Sequence, residues 1–148
     1  MNRLVMITTD PLVMGMAFAA AAEHSAGAVD LFIGTTRAQT DGRIVRILEY
    51  EAYEPMAKAV MERLIDAAAA QWPLRGVAIL HRIGVVPVGE ASVIIAVSGV
   101  HRAEAFEACR FLIDRVKADA PIWKRERFDD GSAHWVGDPS GHGAAPAR

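Results

Sequence analysis

The sequence has little cysteine and lysine and lacks any long apolar run. Its one cysteine, Cys109, excludes an internal disulfide and a metal site built from several cysteines. No segment approaches the roughly 20 uninterrupted apolar residues of a membrane-spanning helix. The apolar residues 11–22 are too few to span a bilayer, and Asp10-Pro11 at their beginning is a typical helix start. We therefore predict an amphipathic helix here, in a cytoplasmic protein.

Several sequence signatures of function are also missing. We find no glycine-rich phosphate loop, no zinc-ligand spacing and no nucleophilic serine motif, so neither a metal nor a cofactor is predicted. The 148 residues carry a net charge of -2, which gives no general attraction to nucleic acid or membranes. Any anion site must therefore be local. We predict one domain over residues 1–137 and a disordered tail over the Pro/Gly-rich residues 138–148.

Hydrophobic periodicity and turn residues predict an α+β fold. Strands are predicted at residues 28–36, 44–53, 76–84, 91–100 and 122–128, and helices at 11–22, 54–72 and 102–118. Asp41-Gly42 is expected to join the first two strands as a hairpin, and Asp130-Gly131 to form a C-terminal β-hairpin. The apolar stripe of the second helix is assigned to Met56, Ala59, Val60, Leu64 and Ala67. This mixed order favours a single domain with a largely antiparallel sheet and about three helices.

The choice of basic residue is the most informative composition feature. Thirteen arginines stand against three lysines, Lys58, Lys117 and Lys124. Lysine offers what arginine lacks, an amine that can lose its proton and act as a base or nucleophile. Lys117 and Lys124 flank Pro121, so a turn there could bring both amines to one pocket. Taken by spacing alone, a helix-end lysine and an ordinary surface lysine are the more frequent explanation.

Other basic residues lie where secondary structure elements end. His101-Arg102 stands where a strand meets the next helix, and Arg37 follows a strand, which are suitable positions for binding phosphate. Each could equally be a surface ion pair. His81-Arg82 lies inside a strand, with one side chain inward and one outward, and a packed or hydrogen-bonded histidine is the favoured interpretation.

Cys109 is predicted to be a buried core residue. It shares a helical face with Phe106, Ile113 and Val116, at the spacing of an apolar stripe. Burial makes a thiol unreactive, so we expect Cys109 to be chemically inert.

The segment HRAEAFEACRFLIDRVKADAPIWKRE, residues 101–126, resembles the signature of the molybdopterin synthase large subunit family. That pattern is His-Arg, Ala-Phe, a helix ending in lysine, then Pro, an aromatic residue, Lys, any residue and Glu. FIGTTR, LEYEAYEPMA and HRIGVVPVGE are also similar to the family, so the resemblance covers roughly residues 4–136.

The resemblance implies a sulfurtransferase that converts cyclic pyranopterin monophosphate to molybdopterin in molybdenum cofactor biosynthesis. It implies a homodimer with one small ubiquitin-like subunit at each end, a heterotetramer, in which the small subunit's C-terminal thiocarboxylate supplies the sulfur. Carried over residue by residue, the catalytic lysines are Lys117 and Lys124, and the substrate-binding residues are Arg37, His101 and Arg102.

Two other interpretations stay open. The chain could be a non-catalytic anion- or partner-binding α+β domain, which would bind its ligand without turnover. It could also be a homologue that assembles but has lost catalysis, although the presence of both Lys117 and Lys124 speaks against this.

Overall fold

The computed structural model describes residues 1–136. This part of the chain contains three helices, α1 (Met14–Ala21), α2 (Glu54–Gln71) and α3 (Arg102–Asp119). Its strands are β1 (Asn2–Thr8), β2 (Ala28–Thr35), β3 (Gln39–Thr40), β4 (Arg43–Ala52), β5 (Leu74–Arg82), β6 (Gly84–Pro87), β7 (Ala91–Gly99), β8 (Ile122–Phe128) and β9 (Ala133–Val136). The tail predicted to be disordered lies outside the described residues.

The strands form two sheets. The first has the order β1-β5-β7-β2, in which β1 and β5 run parallel and the other neighbours antiparallel. The second has the order β3-β4-β8-β9, with β6 also paired to β4, and its pairs are antiparallel. Gly84 has a φ of +79°, a left-handed conformation that favours glycine, at the point where the chain leaves β5 and enters β6. The predicted α+β class with a largely antiparallel sheet is confirmed.

The helices cover the two faces of the first sheet unequally. α2 and α3 pack on one face, and the larger apolar core lies between them and the sheet. The short α1 packs on the other face through Ala17 and Ala21, where a smaller core includes Leu80 and Ile94. Among the helices of residues 1–136, none combines the length and apolar character needed to cross a membrane.

Local sequence explains where the long helices begin and end. Pro55 stands in the first turn of α2, where its missing N–H costs no hydrogen bond, and Pro73 follows the C-cap residue Trp72. At the start of α3, the Glu104 carboxylate accepts a hydrogen bond of 2.8 Å from the His101 N–H. After α3, Pro121 separates the helix from β8.

Both predicted turns are confirmed, but one hairpin differs from expectation. Asp41 and Gly42 have φ values of 51° and 77°, as the central residues of a type I′ turn require, and β8 pairs with β9 across Asp130-Gly131. The strand that enters the first turn is only the two-residue β3. β2 instead pairs with β7 in the other sheet, so the expected long hairpin between the first two strands is wrong.

The N-terminal expectation also needs correction. Residues 2–8 form β1, which the sequence analysis missed, and α1 begins at Met14 rather than at Pro11. The apolar run of β1 shows no alternation because both faces are covered. Leu4 and Met6 pack toward α1, whereas Val5 and Ile7 pack toward α2 and α3.

Two helical stripes are shifted from the prediction. The buried residues of α2 are Ala57, Met61, Leu64, Ile65 and Ala68, whereas Met56 is 59% exposed. In α3, Cys109, Ile113 and Val116 are buried as expected, but Phe106 is 58% exposed. The true α2 stripe has the same helical period as the predicted one, so periodicity could not separate them.

Candidate active site

A cavity of about 710 Å³ opens between the two sheets and the end of α3. Its walls come from the end of β2, the segment that leads to β4, the middle of β4, and β8. Apolar surface is supplied by aromatic side chains, among them Phe32 and Trp123. Trp123 is held by edge contact with the Tyr53 ring, at 5.1 Å between ring centroids.

Three of the basic residues proposed from the sequence line this cavity. Arg37 follows β2 and is exposed, Lys117 lies in the last turn of α3, and Lys124 lies in β8 opposite Tyr50 of β4. Arg37 and Lys117 are far apart along the chain, and the fold brings them to one place. The short connection through Pro121 returns the chain from α3 into β8, which carries Lys124 to the same cavity as Lys117.

Two carboxylates stand among these cations. Glu126 is only 7% exposed, and its Oε2 accepts a hydrogen bond of 2.6 Å from the Thr40 hydroxyl. Asp41, at the tip of the β3–β4 turn, also lines the cavity. Three cationic side chains against two carboxylates leave the wall with an excess of positive charge. The cavity is therefore suited to an anionic ligand, although the whole chain carries a net charge of -2.

His81 is a cavity residue that the sequence analysis did not assign to the site. It is 6% exposed, and its Nδ1 lies 2.8 Å from the carbonyl oxygen of Arg82. The Tyr50 ring packs against it edge-on, with 5.2 Å between centroids. The favoured interpretation of a packed or hydrogen-bonded histidine is confirmed. His81 lies at every-second-residue spacing from Val77 and Ile79, which are core residues, so the three side chains share one face of β5. This spacing is the sequence signal that the His81 side chain points inward.

Its neighbour Arg82 is also covered, contrary to the expectation that one side chain would face outward. Arg82 is 8% exposed and donates a hydrogen bond of 2.8 Å to the Glu90 carboxylate. The two side chains do lie on opposite faces of β5, but neighbouring elements cover both faces of this strand.

His101 and Arg102 do not line the cavity. They lie at the start of α3, just after the C-terminal end of β7. The cavity contacts β7 near its N-terminal end, at Ser92 and Val93. Val93 and Gly99 are six positions apart along an extended strand, a distance of roughly 20 Å. The His101 side chain is 80% exposed, and its Nδ1 lies 3.8 Å from the Glu104 carboxylate. A single chain thus brings together Arg37, Lys117 and Lys124 without these two residues.

Cys109 lies in the core and outside the cavity lining. It is 3% exposed, and its Sγ lies 3.9 Å from the carbonyl oxygen of Ile95. Burial, followed by the negative charge of Asp30, raises the pKa of the Cys109 thiol to about 12. At neutral pH the thiol is therefore protonated and a poor nucleophile.

Fold and cavity together define a class: an α+β protein with a cation-lined cavity suited to an anionic ligand. The family model described as "MoaE protein" matches residues 7–119. Molybdopterin synthase catalytic subunit 1 of Aedes aegypti is 47% identical over 126 residues, which cover 84% of this chain and 81% of that protein. The catalytic subunit of Homo sapiens is 47% identical over 112 residues, 76% of this chain and 59% of the human protein.

Solved structures share this fold. Molybdopterin synthase from Staphylococcus aureus superposes with a TM-score of 0.85 at 35% identity, covering 89% of this chain and 96% of that one. A complex of subunits 1 and 2 of the molybdopterin-converting factor from Helicobacter pylori shows the same fold at 21% identity, with a TM-score of 0.72 and coverage of 97% and 92%. The chain belongs to the MoaE protein family, whose members include these molybdopterin synthase catalytic subunits.

Proposed function

We propose that this chain binds cyclic pyranopterin monophosphate in the cavity and converts it to molybdopterin, with sulfur supplied by the C-terminal thiocarboxylate of a small ubiquitin-like subunit. The observation that carries the proposal is that Arg37, Lys117 and Lys124 line one cavity. The relatives are named catalytic subunits, which supports the presence of a further subunit in the working enzyme.

Arg37 is suited to binding the phosphate of the substrate, and the two lysines are suited to the sulfur transfer itself. The Arg37 guanidinium can bind a phosphate through two parallel hydrogen bonds. Each sulfur transfer forms a C–S bond on the substrate in place of a C–O bond, and the oxygen that leaves must accept a proton. Water then cleaves the C–S bond to the small subunit, whose tail is released as a carboxylate. Lys117 and Lys124 can supply protons, hold the negative charge that develops, and attract the anionic tail of the small subunit. We assign them these catalytic roles as a pair.

We further propose that the enzyme works in the cytoplasm as a homodimer with one small subunit at each end. Support for self-association comes from α1, which has no charged side chain and exposes Met14, Met16 and Phe18. A dimer would also give His101 and Arg102 a role. Both residues lie away from the cavity of their own chain. In a dimer, His101 and Arg102 of one copy could instead contact the substrate in the cavity of the other copy.

The experiment that tests the proposed function is reconstitution. The chain is mixed with thiocarboxylated small subunit and cyclic pyranopterin monophosphate, and the dithiolene product is assayed. We expect product with the thiocarboxylated partner and none with the same partner carrying an ordinary carboxylate. Tight substrate binding without any product would instead identify a non-catalytic binding domain.

A matched partner variant tests the role of the cationic cavity. A small subunit that lacks its last two residues should bind more weakly, because its carboxylate could no longer reach Arg37, Lys117 and Lys124. Equal affinity for the truncated partner would show that the tail is not recognised by the cavity.

A further inference from the structure

The proposed reaction gives no role to the buried imidazole of His81, which lines the cavity. His81 lines the cavity together with Lys117 and Lys124, yet it is not one of the cations assigned to phosphate or to the thiocarboxylate. It lies in β5, in a part of the sheet where it pairs with Ile7 on one side and Val93 on the other. Its backbone is therefore fixed on both sides, so the ring is held in a defined place.

The hydrogen bond to the backbone determines where the ring proton lies. Nδ1 is 2.8 Å from the Arg82 carbonyl oxygen, and a carbonyl oxygen can only accept. Nδ1 must therefore carry a hydrogen and donate it. In the neutral ring, the other nitrogen, Nε2, is then a hydrogen-bond acceptor.

The surroundings favour that neutral ring. His81 is 6% exposed, and burial disfavours a charged imidazolium. The cavity wall already holds the cations Arg37, Lys117 and Lys124, and the edge of the Tyr50 ring packs against His81. Of the two carboxylates in the wall, Glu126 accepts the Thr40 hydroxyl, and Asp41 lies at the tip of its turn. Burial thus favours the neutral imidazole, whose Nε2 can accept a hydrogen bond.

We propose that His81 is a specificity-determining residue that recognises the pterin part of the substrate by accepting a hydrogen bond, at Nε2, from a ring N–H or amino group. This inference rests on the proposed function. The guanidinium and ammonium groups of the wall only donate hydrogen bonds, which suits a phosphate without donors. A pterin ring carries N–H donors and needs an acceptor. When the substrate enters, its donor takes the place of whatever group occupies Nε2 beforehand.

Two substitutions separate recognition from a purely structural role. An asparagine amide approximates the position of Nδ1, so His81→Asn can keep the bond to the Arg82 carbonyl but lose the distal acceptor. A glutamine amide reaches the position of Nε2, so His81→Gln can keep an acceptor there. We expect His81→Asn to raise the KM for cyclic pyranopterin monophosphate roughly 10-fold with a smaller change in kcat, and His81→Gln to stay within about 3-fold of wild type.

The opposite order, with His81→Asn close to wild type and His81→Gln impaired, would overturn the proposal and make the backbone bond the reason for the histidine. His24→Asn is the matched control, because His24 is exposed and lies outside the cavity lining. Its KM should equal that of wild type. The wild-type assay keeps the two proposals apart: product from wild type with an unaltered KM in His81→Asn would refute only the role of His81.

A measurement on wild-type protein makes the test independent of folding in the variants. In the complete enzyme with a carboxylate-ended small subunit, the ¹⁵N resonance of His81 Nε2 is followed during titration with a pterin that lacks phosphate, and separately with inorganic phosphate. We expect the pterin to shift this resonance in the direction of hydrogen bonding and phosphate to shift it little. An unchanged Nε2 resonance at saturating pterin would overturn the proposal.

Discussion

At the scale of single residues, the two lysines of the cavity are the groups whose loss should matter most. We expect Lys117→Ala and Lys124→Ala each to reduce the rate of product formation by about 10²-fold or more, the effect of losing a positioned proton donor. Lys58→Ala is the control, because Lys58 is exposed on α2 and lies outside the cavity lining. Steady-state kinetics with melting curves for each variant would check this, and equally mild effects at all three positions would contradict it.

Arginine at the same two positions distinguishes proton transfer from charge. A guanidinium stays protonated, so Lys117→Arg and Lys124→Arg should be nearly as inactive as the alanine variants if an amine must give up a proton. Near-normal turnover in the arginine variants would mean that the cavity needs only positive charge there. The same kinetic assay decides between these outcomes.

Cys109 gives a prediction of the opposite kind. Because its thiol is buried and its pKa is raised to about 12, we expect Cys109→Ser to keep nearly all activity per folded molecule when thiocarboxylated partner is supplied. The hydroxyl placed in the core should lower the free energy of unfolding by roughly 1–3 kcal/mol. Turnover and urea denaturation measure the two effects separately. Complete loss of turnover in the folded variant would show that sulfur passes through Cys109.

At the scale of elements, the pairing of β4 with β8 decides where Lys124 lies, and an ion cluster supports it. The Glu49 carboxylate of β4 accepts two hydrogen bonds of 3.0 Å from Arg125, and it also accepts one from Arg127. These guanidinium contacts, with that of Arg127 largest, hold the pKa of Glu49 below its ordinary value. The side chain is 23% exposed, so solvent screens the cluster only in part.

We expect Glu49→Gln to lower the free energy of unfolding by about 1–2 kcal/mol at neutral pH. Since the pKa of Glu49 is lowered on folding, its stabilisation is complete above the unfolded pKa of about 4.3 and is lost as the pH falls through the lower folded value. The difference in free energy of unfolding between Glu49→Gln and wild type should therefore become smaller below a pH of about 4. Glu51→Gln, on the same strand at an exposed position, should have little effect. A constant difference from pH 7 to pH 3 would show that charge is not its cause.

The elements themselves could be predicted best where turns and prolines mark their ends. Pro55 and Pro73 bracket α2, and Asp130-Gly131 turns β8 into β9. The sequence could not show which strands pair with each other or which face of a helix is buried. β1 was not predicted because a strand covered on both faces shows no alternation of apolar and polar residues. The buried face of α2 could not be predicted because two stripes of equal period fit its apolar residues.

At the scale of the whole molecule, the site is assembled from segments that are distant in sequence. The family signature identified Lys117 and Lys124, and a strand end identified Arg37, and all three line one cavity. His81 was not predicted as a cavity residue, because its contact with the Tyr50 ring of β4 and its place in the cavity wall depend on tertiary structure. The same topology sends His101 to the opposite end of β7, a separation that spacing along the chain cannot reveal.

That separation leads to a prediction about the dimer. If His101 and Arg102 of one copy act on the substrate in the other copy's cavity, two inactive variants should complement each other when mixed. A chain with both His101→Ala and Arg102→Ala keeps an intact cavity, and a Lys124→Ala chain keeps an intact α3 start. A mixed dimer would contain one complete site.

Random exchange between equal amounts of the two chains would place half of the molecules in mixed dimers with one working site each. We therefore expect about a quarter of wild-type activity after mixing, against almost none for either variant alone. Light scattering should show a dimer throughout, and a mixture of two Lys124→Ala preparations is the control for mixing itself. If subunits exchange, as mass measurement can verify, and activity does not return, His101 and Arg102 act within their own chain or not at all. A clean monomer at micromolar concentration would remove the basis of the prediction, because no second copy would then be available to complete the cavity.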